Sequence, residues 1–361
     1  MYISKLDELL QNISTSIVDF SAERKRNSPP TQVSSEFLTN KEQGDWAEKT
    51  LLKGINDNSK QYVAVKYGRD DNIIAGEEGF KEFYEDYQNE LDSIGKRPDI
   101  LIFDKKDFPY DVLDISSWPI EKCDEIVPLA KCGIEVRSSA FLIDKYEAYM
   151  QEKQHNLILQ ALSIKDEIIS NFSDLLQAKN KELCDVINMM NFSNIRVLSF
   201  SRAPSWKTTP ELERLSNLIK QLKSCITEIS GRTFLSITPK VEDLKVVYTW
   251  CKRYNVPHYY VQVFFDKAYG ISFERILTLL ASPELEGKEF FVESDVKNQN
   301  KTTIKIHATN EKLILNKISL PKHRSKMKEL GRGRLLFYVE FEHSASTINV
   351  EACSELFNIR L

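Results

Sequence analysis

The chain has 361 residues, of which 42% are hydrophobic and 28% charged, and its formal net charge is −4. This is an ordinary globular composition with room for one elaborated core or two domains, and no apolar run reaches the roughly 18 residues that a membrane-spanning helix needs. The mild acidity does not advertise a nucleic-acid binder, but a net charge averages over faces and leaves a local basic groove open.

The N-terminal stretch MYISKLDELLQNISTSIVDF spaces its apolar residues helically and predicts a helix near residues 2–20. It lacks a basic start and an uninterrupted apolar centre, so it is not a secretion signal, and a cytoplasmic protein is expected. Ser28, Pro29, Pro30 and Thr31 read as a linker. A second helix is expected from an Asn40 N-cap, with Trp46, Ala47, Leu51, Leu52 and Ile55 on one packed face and Glu48 beside it. QYVAVKYG alternates as a strand and EEGFKEFYEDYQNELDSI reads as a helix. RPDILIF then brings Ile100 to Phe103, the continuous apolar run of a central strand, with Asp99 at its entrance. A loop with Pro109, Trp118 and Pro119 and a short segment near DEIVPLAKC lead to the strand GIEVRSSAFLI, which carries Glu135 and Arg137 in an otherwise apolar run.

Between Gly133 and Gly231 there is no glycine, and from Ala130 to Ala203 no proline. Apolar residues there recur at three and four spacing, so residues 145–231 read as a helical insertion broken by NIRVLSFSRAPSWKTTP. Beyond it RTFLSITPK, VEDLKVVYTWCKRYN, HYYVQVFF and ISFERILTLL alternate strand and helix in the α/β manner. From about Ser282, KEFFVESD, TTIKIHA, RLLFYVEFEH and STINVEAC read as mostly β. Within that region PKHRSKMKELGRGR sets Lys322, Arg324, Lys326, Lys328, Arg332 and Arg334 against the single acid Glu329, a loop suited either to phosphates or to plain solvation. The cysteines (Cys123, Cys132, Cys184, Cys225, Cys251, Cys353) show no C-x-x-C spacing and the histidines no H-x-x-x-H pair. They read as core thiols in a reducing compartment, and zinc chemistry is not indicated.

Residues two apart in a strand share a face, so Glu135 and Arg137 are aimed together while Ile134 and Val136 turn to the opposite side. On an exposed sheet such a pair is a surface ion pair of about 0–1 kcal/mol. If the RPDILIF strand lies alongside, Asp99 joins Glu135, and two convergent carboxylates with waters suit Mg²⁺.

The segments LTNKEQGDWAEKTLL, RPDILIF, GIEVRSSAF and SITPKVEDLKVVYTWCKRYNVPHYYVQVFFDKAYGISF resemble, in that order, type II restriction endonucleases of the PD-(D/E)XK superfamily, and are most similar to AccI-type enzymes, over about residues 35–285. Joined to the element pattern, the resemblance implies an α/β fold with a restriction-endonuclease-like mixed-sheet core flanked by helices, over 35–144 and 232–282. An N-terminal helical arm over 1–34, the insertion over 145–231 for DNA recognition or dimerisation, and a β-rich C-terminal region over 283–361 complete it. It further implies a sequence-specific endonuclease acting on double-stranded DNA with Mg²⁺, as a homodimer at a short and even degenerate palindrome, with a cognate DNA methyltransferase as functional partner.

Carried over by position, Asp99 is the P-D aspartate and Glu135 the E-x-K glutamate, both metal ligands, while the family lysine falls at Arg137 and Glu48 matches the acid of the first core helix. Arginine stays protonated in proteins and cannot be the general base. Lys240, in SITPK, is a candidate for the missing lysine if the strand from Thr233 runs beside the site; a solvated lysine is the plainer reading. The long interval between Asp99 and Glu135 also leaves Asp114 as an alternative ligand. DNA contacts are expected from Ser201, Arg202, Ser205, Trp206 and Lys207, and from Lys322, Arg324, Lys326, Arg332 and Arg334, although Trp206 reads equally as a core tryptophan. Two other functions fit the same core: a structure-specific DNA repair nuclease, and a non-catalytic DNA-binding protein in which Glu135 and Arg137 form only an ion pair.

Overall fold

A computed structural model describes residues 2–70, 73–198, 200, 202–295, 301–342 and 345–360. Two compact units emerge, one formed by Met1–Ile143 with Leu235–Leu361 and one by Asp144–Phe234.

The first unit begins with α1 (Tyr2–Leu10), shorter than its apolar spacing suggests. Past Leu10 the side chains of Ser14 and Asp19 bond the nearby amides of Ser16 and Ser21, a local alternative to helical hydrogen bonds. Next, α2 (Ser35–Asn58) starts a turn earlier than expected, because Ser34 is the N-cap and its hydroxyl accepts from the Phe37 amide at 3.0 Å. Asn40 lies inside the helix, whose buried face includes Leu38 as well as Trp46, Ala47, Leu51 and Ile55.

Then follow β1 (Tyr62–Lys66), α3 (Phe80–Ser93), β2 (Ile100–Asp104), α4 (Ile120–Ile126) and β3 (Cys132–Ser139). The chain leaves this unit for α5 (Ile143–Lys179), α6 (Lys181–Met189) and α7 (Pro210–Ile229), and returns with β4 (Ser236–Ile237) and α8 (Val241–Tyr254). The RTFLSITPK strand shrinks to the two residues of β4, since Pro239 has no amide to continue a ladder. Strands β5 (His258–Phe264) and β6 (Ala268–Ser272) form a hairpin ahead of α9 (Phe273–Leu280). The short AYGIS strand, with a central glycine, carries little strand signal of its own.

The C-terminal part adds β7 (Phe290–Asp295), β8 (Lys301–His307), β9 (Lys312–Ile318), β10 (His323–Leu330), β11 (Arg334–Phe341), β12 (Ser346–Ile348) and α10 (Val350–Phe357). STINVEAC is thus a brief strand followed by a helix, capped where Asn349 accepts from the Ala352 amide.

The main sheet has seven strands in the order β1-β2-β3-β5-β6-β9-β12. Only β3 and β5 run parallel, so the sheet is mixed, as the α/β expectation with a β-rich C-terminus has it. Ile134, Val136, Val261 and Val263 pack on Trp46, Leu51 and Ile55 of α2 and on Cys353 and Phe357 of α10. Glu135 and Arg137 therefore lie on the other face, in register with Tyr260 and Gln262.

The second unit has its own core, built from Ile158, Ile168, Leu176, Ile187, Leu215 and Leu222 among others. Its helices carry ordinary start signals: the Asn180 side chain caps α6, and Thr209 with Pro210 at the first helical position starts α7.

Candidate active site

Strands β2 and β3 are antiparallel with Ile100 opposite Ile134, and that register carries Asp99 to the position of Glu135. The Asp99 carboxylate reaches across and its Oδ2 accepts from the Val136 amide at 2.6 Å. Asp99 is held further by its own carbonyl, which accepts from the amides of Tyr67 and Gly68. Burial, then the negative charges of Glu135 and of Glu48 on α2, push its carboxyl well above the ordinary aspartate range.

Glu135 is only 2% exposed, which rules out a surface ion pair. Its Oε1 accepts from Lys96 Nζ at 2.6 Å and lies 3.0 Å from Arg137 Nη2. Its Oε2 is buried and has no hydrogen-bond partner. Burial disfavours the charged form, but Lys96 and Arg137 outweigh it and hold the carboxyl below its ordinary value.

Both cations also reach Asp243 in the first turn of α8, whose Oδ2 is 2.9 Å from Lys96 Nζ and 2.8 Å from Arg137 Nη2. Burial opposes the charge on each of these three groups, yet mutual attraction prevails: both cations are raised above their ordinary values and Asp243 is lowered. Lys96 and Arg137 are thus firmly charged.

Asp99, Glu135, Arg137 and Glu48 line one cleft, and Lys96 lines it with them. The other residues singled out from sequence lie elsewhere. Lys240 is at the N-cap of α8, bridged to Thr303, and lines an adjoining cavity that shares Lys96 and Asp243 with the site, its charge helping to lower Asp243. Strand β4 pairs with β8, in a sheet other than the one that carries Glu135. Asp114 is exposed and its Oδ1 accepts from the amide and hydroxyl of Ser116, a local turn.

In the helical unit Arg202 and Lys207 are exposed, whereas Trp206 packs against the helical core and its amide bonds Ser216. Ser201 lies outside the described residues. The basic segment is a strand, β10, hydrogen-bonded to β11 as a hairpin. Its alternate cations share a face and have partners: Arg324 pairs with Glu340, Lys326 lies 3.5 Å from Glu340, and Lys328 is 2.9 Å from Glu77. Arg334 donates to Gln32 at 2.9 Å, Lys322 is exposed, and the Arg332 side chain lies outside the described residues.

Lys96 and Asp243 are the two members of the site that sequence reasoning passed over. Lys96 stands three residues before Asp99 in GKRPD, where its basic neighbour Arg97 drew no attention either; Asp243 read as an ordinary acid of a first helical turn.

Among the described residues no group of three or more His, Cys, Asp or Glu side chains is arranged to hold a metal. The donor set nonetheless suits a hard divalent cation that keeps several waters: two facing carboxylates, with a buried Oε2 on Glu135 that has no hydrogen-bond partner and an Asp99 whose charged form burial and negative neighbours disfavour until a cation offsets them.

The family model for the AccI restriction endonuclease matches residues 1–360. Neither a curated protein nor a solved structure matches the chain. The match spans nearly the full sequence and agrees with the mixed α/β sheet that brings Asp99 and Glu135 together: the chain belongs to the AccI restriction endonuclease family, enzymes that cut DNA at specific sites.

Proposed function

We propose that the protein cuts both strands of duplex DNA in a Mg²⁺-dependent reaction, as a homodimer at a short palindromic site, degenerate ones included. The observation that carries this reading is the pairing of Asp99 and Glu135 across β2 and β3, on a buried floor that also holds two fixed cations.

In this reading Asp99 and Glu135 hold the ion, with Glu48 adding negative charge from α2. Held there, Mg²⁺ would lower the pKa of a bound water and lend Lewis-acid support to the leaving oxygen. Arg137 stays charged and so takes no proton; it offsets the charge that develops on the phosphate. Lys240 lines the neighbouring cavity, which shares Lys96 and Asp243 with the site, and its charge helps to lower Asp243.

Exposed Arg202, Lys207 and Lys322 suit phosphate contacts, whereas Arg324, Lys326 and Arg334 must first exchange a protein partner for DNA. The helical unit serves recognition or dimerisation, and a DNA methyltransferase that protects the same site is the functional partner. Incubating the protein with unmethylated phage DNA and Mg²⁺, with Ca²⁺ in parallel, tests the proposal. Discrete fragments with Mg²⁺ alone support it, whereas intact DNA or a sequence-independent smear contradicts it.

A further inference from the structure

The turn that carries Lys96 is built against α8. Gly95 has φ +83°, and a Cβ there would sit 2.3 Å from the Val246 carbonyl and 2.5 Å from the Trp250 amide, so only glycine permits the approach. The Lys96 amide donates to that same Val246 carbonyl at 2.9 Å, and its ammonium reaches Asp243, one helical turn earlier. The next residue, Arg97, is anchored on the opposite side by Glu90 of α3 at 2.8 Å and lies over the Tyr67 ring. Backbone and both neighbours thus fix where the Lys96 ammonium ends up, which is at the edge of the cleft lined by Asp99 and Glu135.

The charges there are arranged unevenly. Lys96 and Arg137 each divide their contacts between Glu135 Oε1 and Asp243 Oδ2. Asp243 thereby shares the two cations with Glu135, and Glu135 Oε2 is left without a partner. An ammonium has three protons to donate, and the two carboxylates engage two of them.

We infer that Lys96 takes the place of the lysine that the E-x-K pattern lacks at Arg137, donating its remaining proton as a hydrogen bond to the scissile phosphate. Asp243 is the positioning residue that keeps Lys96 and Arg137 together beside Glu135. Lys96 acts here as a charged donor throughout and gives up no proton. This deepens the nuclease reading and rests on it.

The test is single-turnover cleavage in Mg²⁺ of a duplex that the wild-type protein cuts, alongside duplex binding in Ca²⁺ by gel shift, for Lys96→Met, Lys96→Arg, Asp243→Asn and the double variant Lys96→Met with Asp243→Asn. Lys96→Met is expected to slow cleavage by about 10²–10³-fold, as for loss of one preorganised donor, while Ca²⁺-dependent affinity stays within about threefold. Lys96→Arg keeps the charge and cuts faster than Lys96→Met. Asp243→Asn slows cleavage too, and the double variant falls within about threefold of Lys96→Met, because the two residues act as one unit.

A merely structural ion cluster gives another pattern: cleavage within about threefold of wild type for Lys96→Met, or no faster cleavage by Lys96→Arg than by Lys96→Met, and either result overturns the inference. Should Lys96→Met fail to bind duplex, Lys96→Arg and Asp243→Asn decide by the same rates. Wild-type protein that cuts no DNA removes the nuclease reading itself; wild-type protein that cuts as fast as Lys96→Met removes only the role of Lys96.

Discussion

The Asp99 carboxylate accepts a hydrogen bond of 2.6 Å from the amide of Val136, the residue between Glu135 and Arg137. That bond ties the entrance of β2 to the middle of β3 and places two acids side by side in one cleft. Yet the acids of this site are in opposite electrostatic situations. Asp99 is raised, by burial and then by its negative neighbours, whereas Asp243 faces Lys96, Arg137 and Lys240 and is lowered against its burial.

Opposite stability effects should follow. Because Asp99 keeps its proton in the native state at a pH where the unfolded chain has lost it, its contribution to stability falls as pH rises above about 3.9. Asp99→Asn, which fixes the neutral form, should raise stability at neutral pH by about 1–3 kcal/mol in the absence of divalent ions. Asp243 has a native pKa below its unfolded value, so its contribution is present above about pH 3.9 and is lost as pH falls below it. Asp243→Asn should cost about 3 kcal/mol at neutral pH, the low end for a broken buried pair, since the Asp243 side chain keeps 23% exposure. Urea unfolding at several pH values checks both signs, and two variants that shift stability in the same direction would contradict them.

Divalent ions should stabilise the folded chain through the same acids. With Ca²⁺ or Mg²⁺ at a hundred times its dissociation constant, linkage gives about 2.7 kcal/mol. The melting temperature of the wild type should rise accordingly, and the rise should vanish in Glu135→Gln, where Oε2 no longer carries a carboxylate charge. An undiminished shift in that variant would move the ion away from Glu135.

Gly95→Ala should destabilise the fold by about 3 kcal/mol, because φ is +83° and the new methyl meets the Val246 carbonyl. It should also slow cleavage, since the turn that carries Lys96 must retreat from α8. Chemical denaturation and cleavage rates on one preparation measure both effects; a neutral substitution would show that the turn tolerates a side chain.

The main strands and the packed face of α2 were legible because each depends on local periodicity: the run Ile100–Phe103, the alternation through Glu135 and Arg137, and the spacing Trp46, Leu51, Ile55. The pairing of Asp99 with Glu135 could be anticipated from two motifs alone. Lys96 and Asp243 could not, because they meet across 147 residues of sequence: Lys96 lies just before RPDILIF, and Asp243 reads as an ordinary first-turn acid within SITPKVED. The start of α2 was expected at Asn40, but Ser34 caps the helix a turn earlier and Leu38 adds to its buried face. The basic segment read as a loop because its charge masked its period of two; Arg324, Lys326 and Lys328 alternate as a strand does.

Arg202→Ala and Lys207→Ala should each weaken duplex binding evenly across sequences and reduce the slope of log affinity against log salt by about one. Arg324→Ala should change that slope less, as its guanidinium is already paired with Glu340. Fluorescence titrations at several salt concentrations measure the slopes, and equal changes for all three would show that the hairpin cation gives up Glu340 on binding DNA.

The most direct test of the Asp99–Glu135 site is to compare Asp99→Ala and Glu135→Ala with the wild type for cleavage of unmethylated duplex DNA in Mg²⁺, with duplex binding in Ca²⁺ measured on the same preparations. Loss of cleavage in both variants with duplex binding retained is the expected result. Cleavage at the wild-type rate in both would contradict the site.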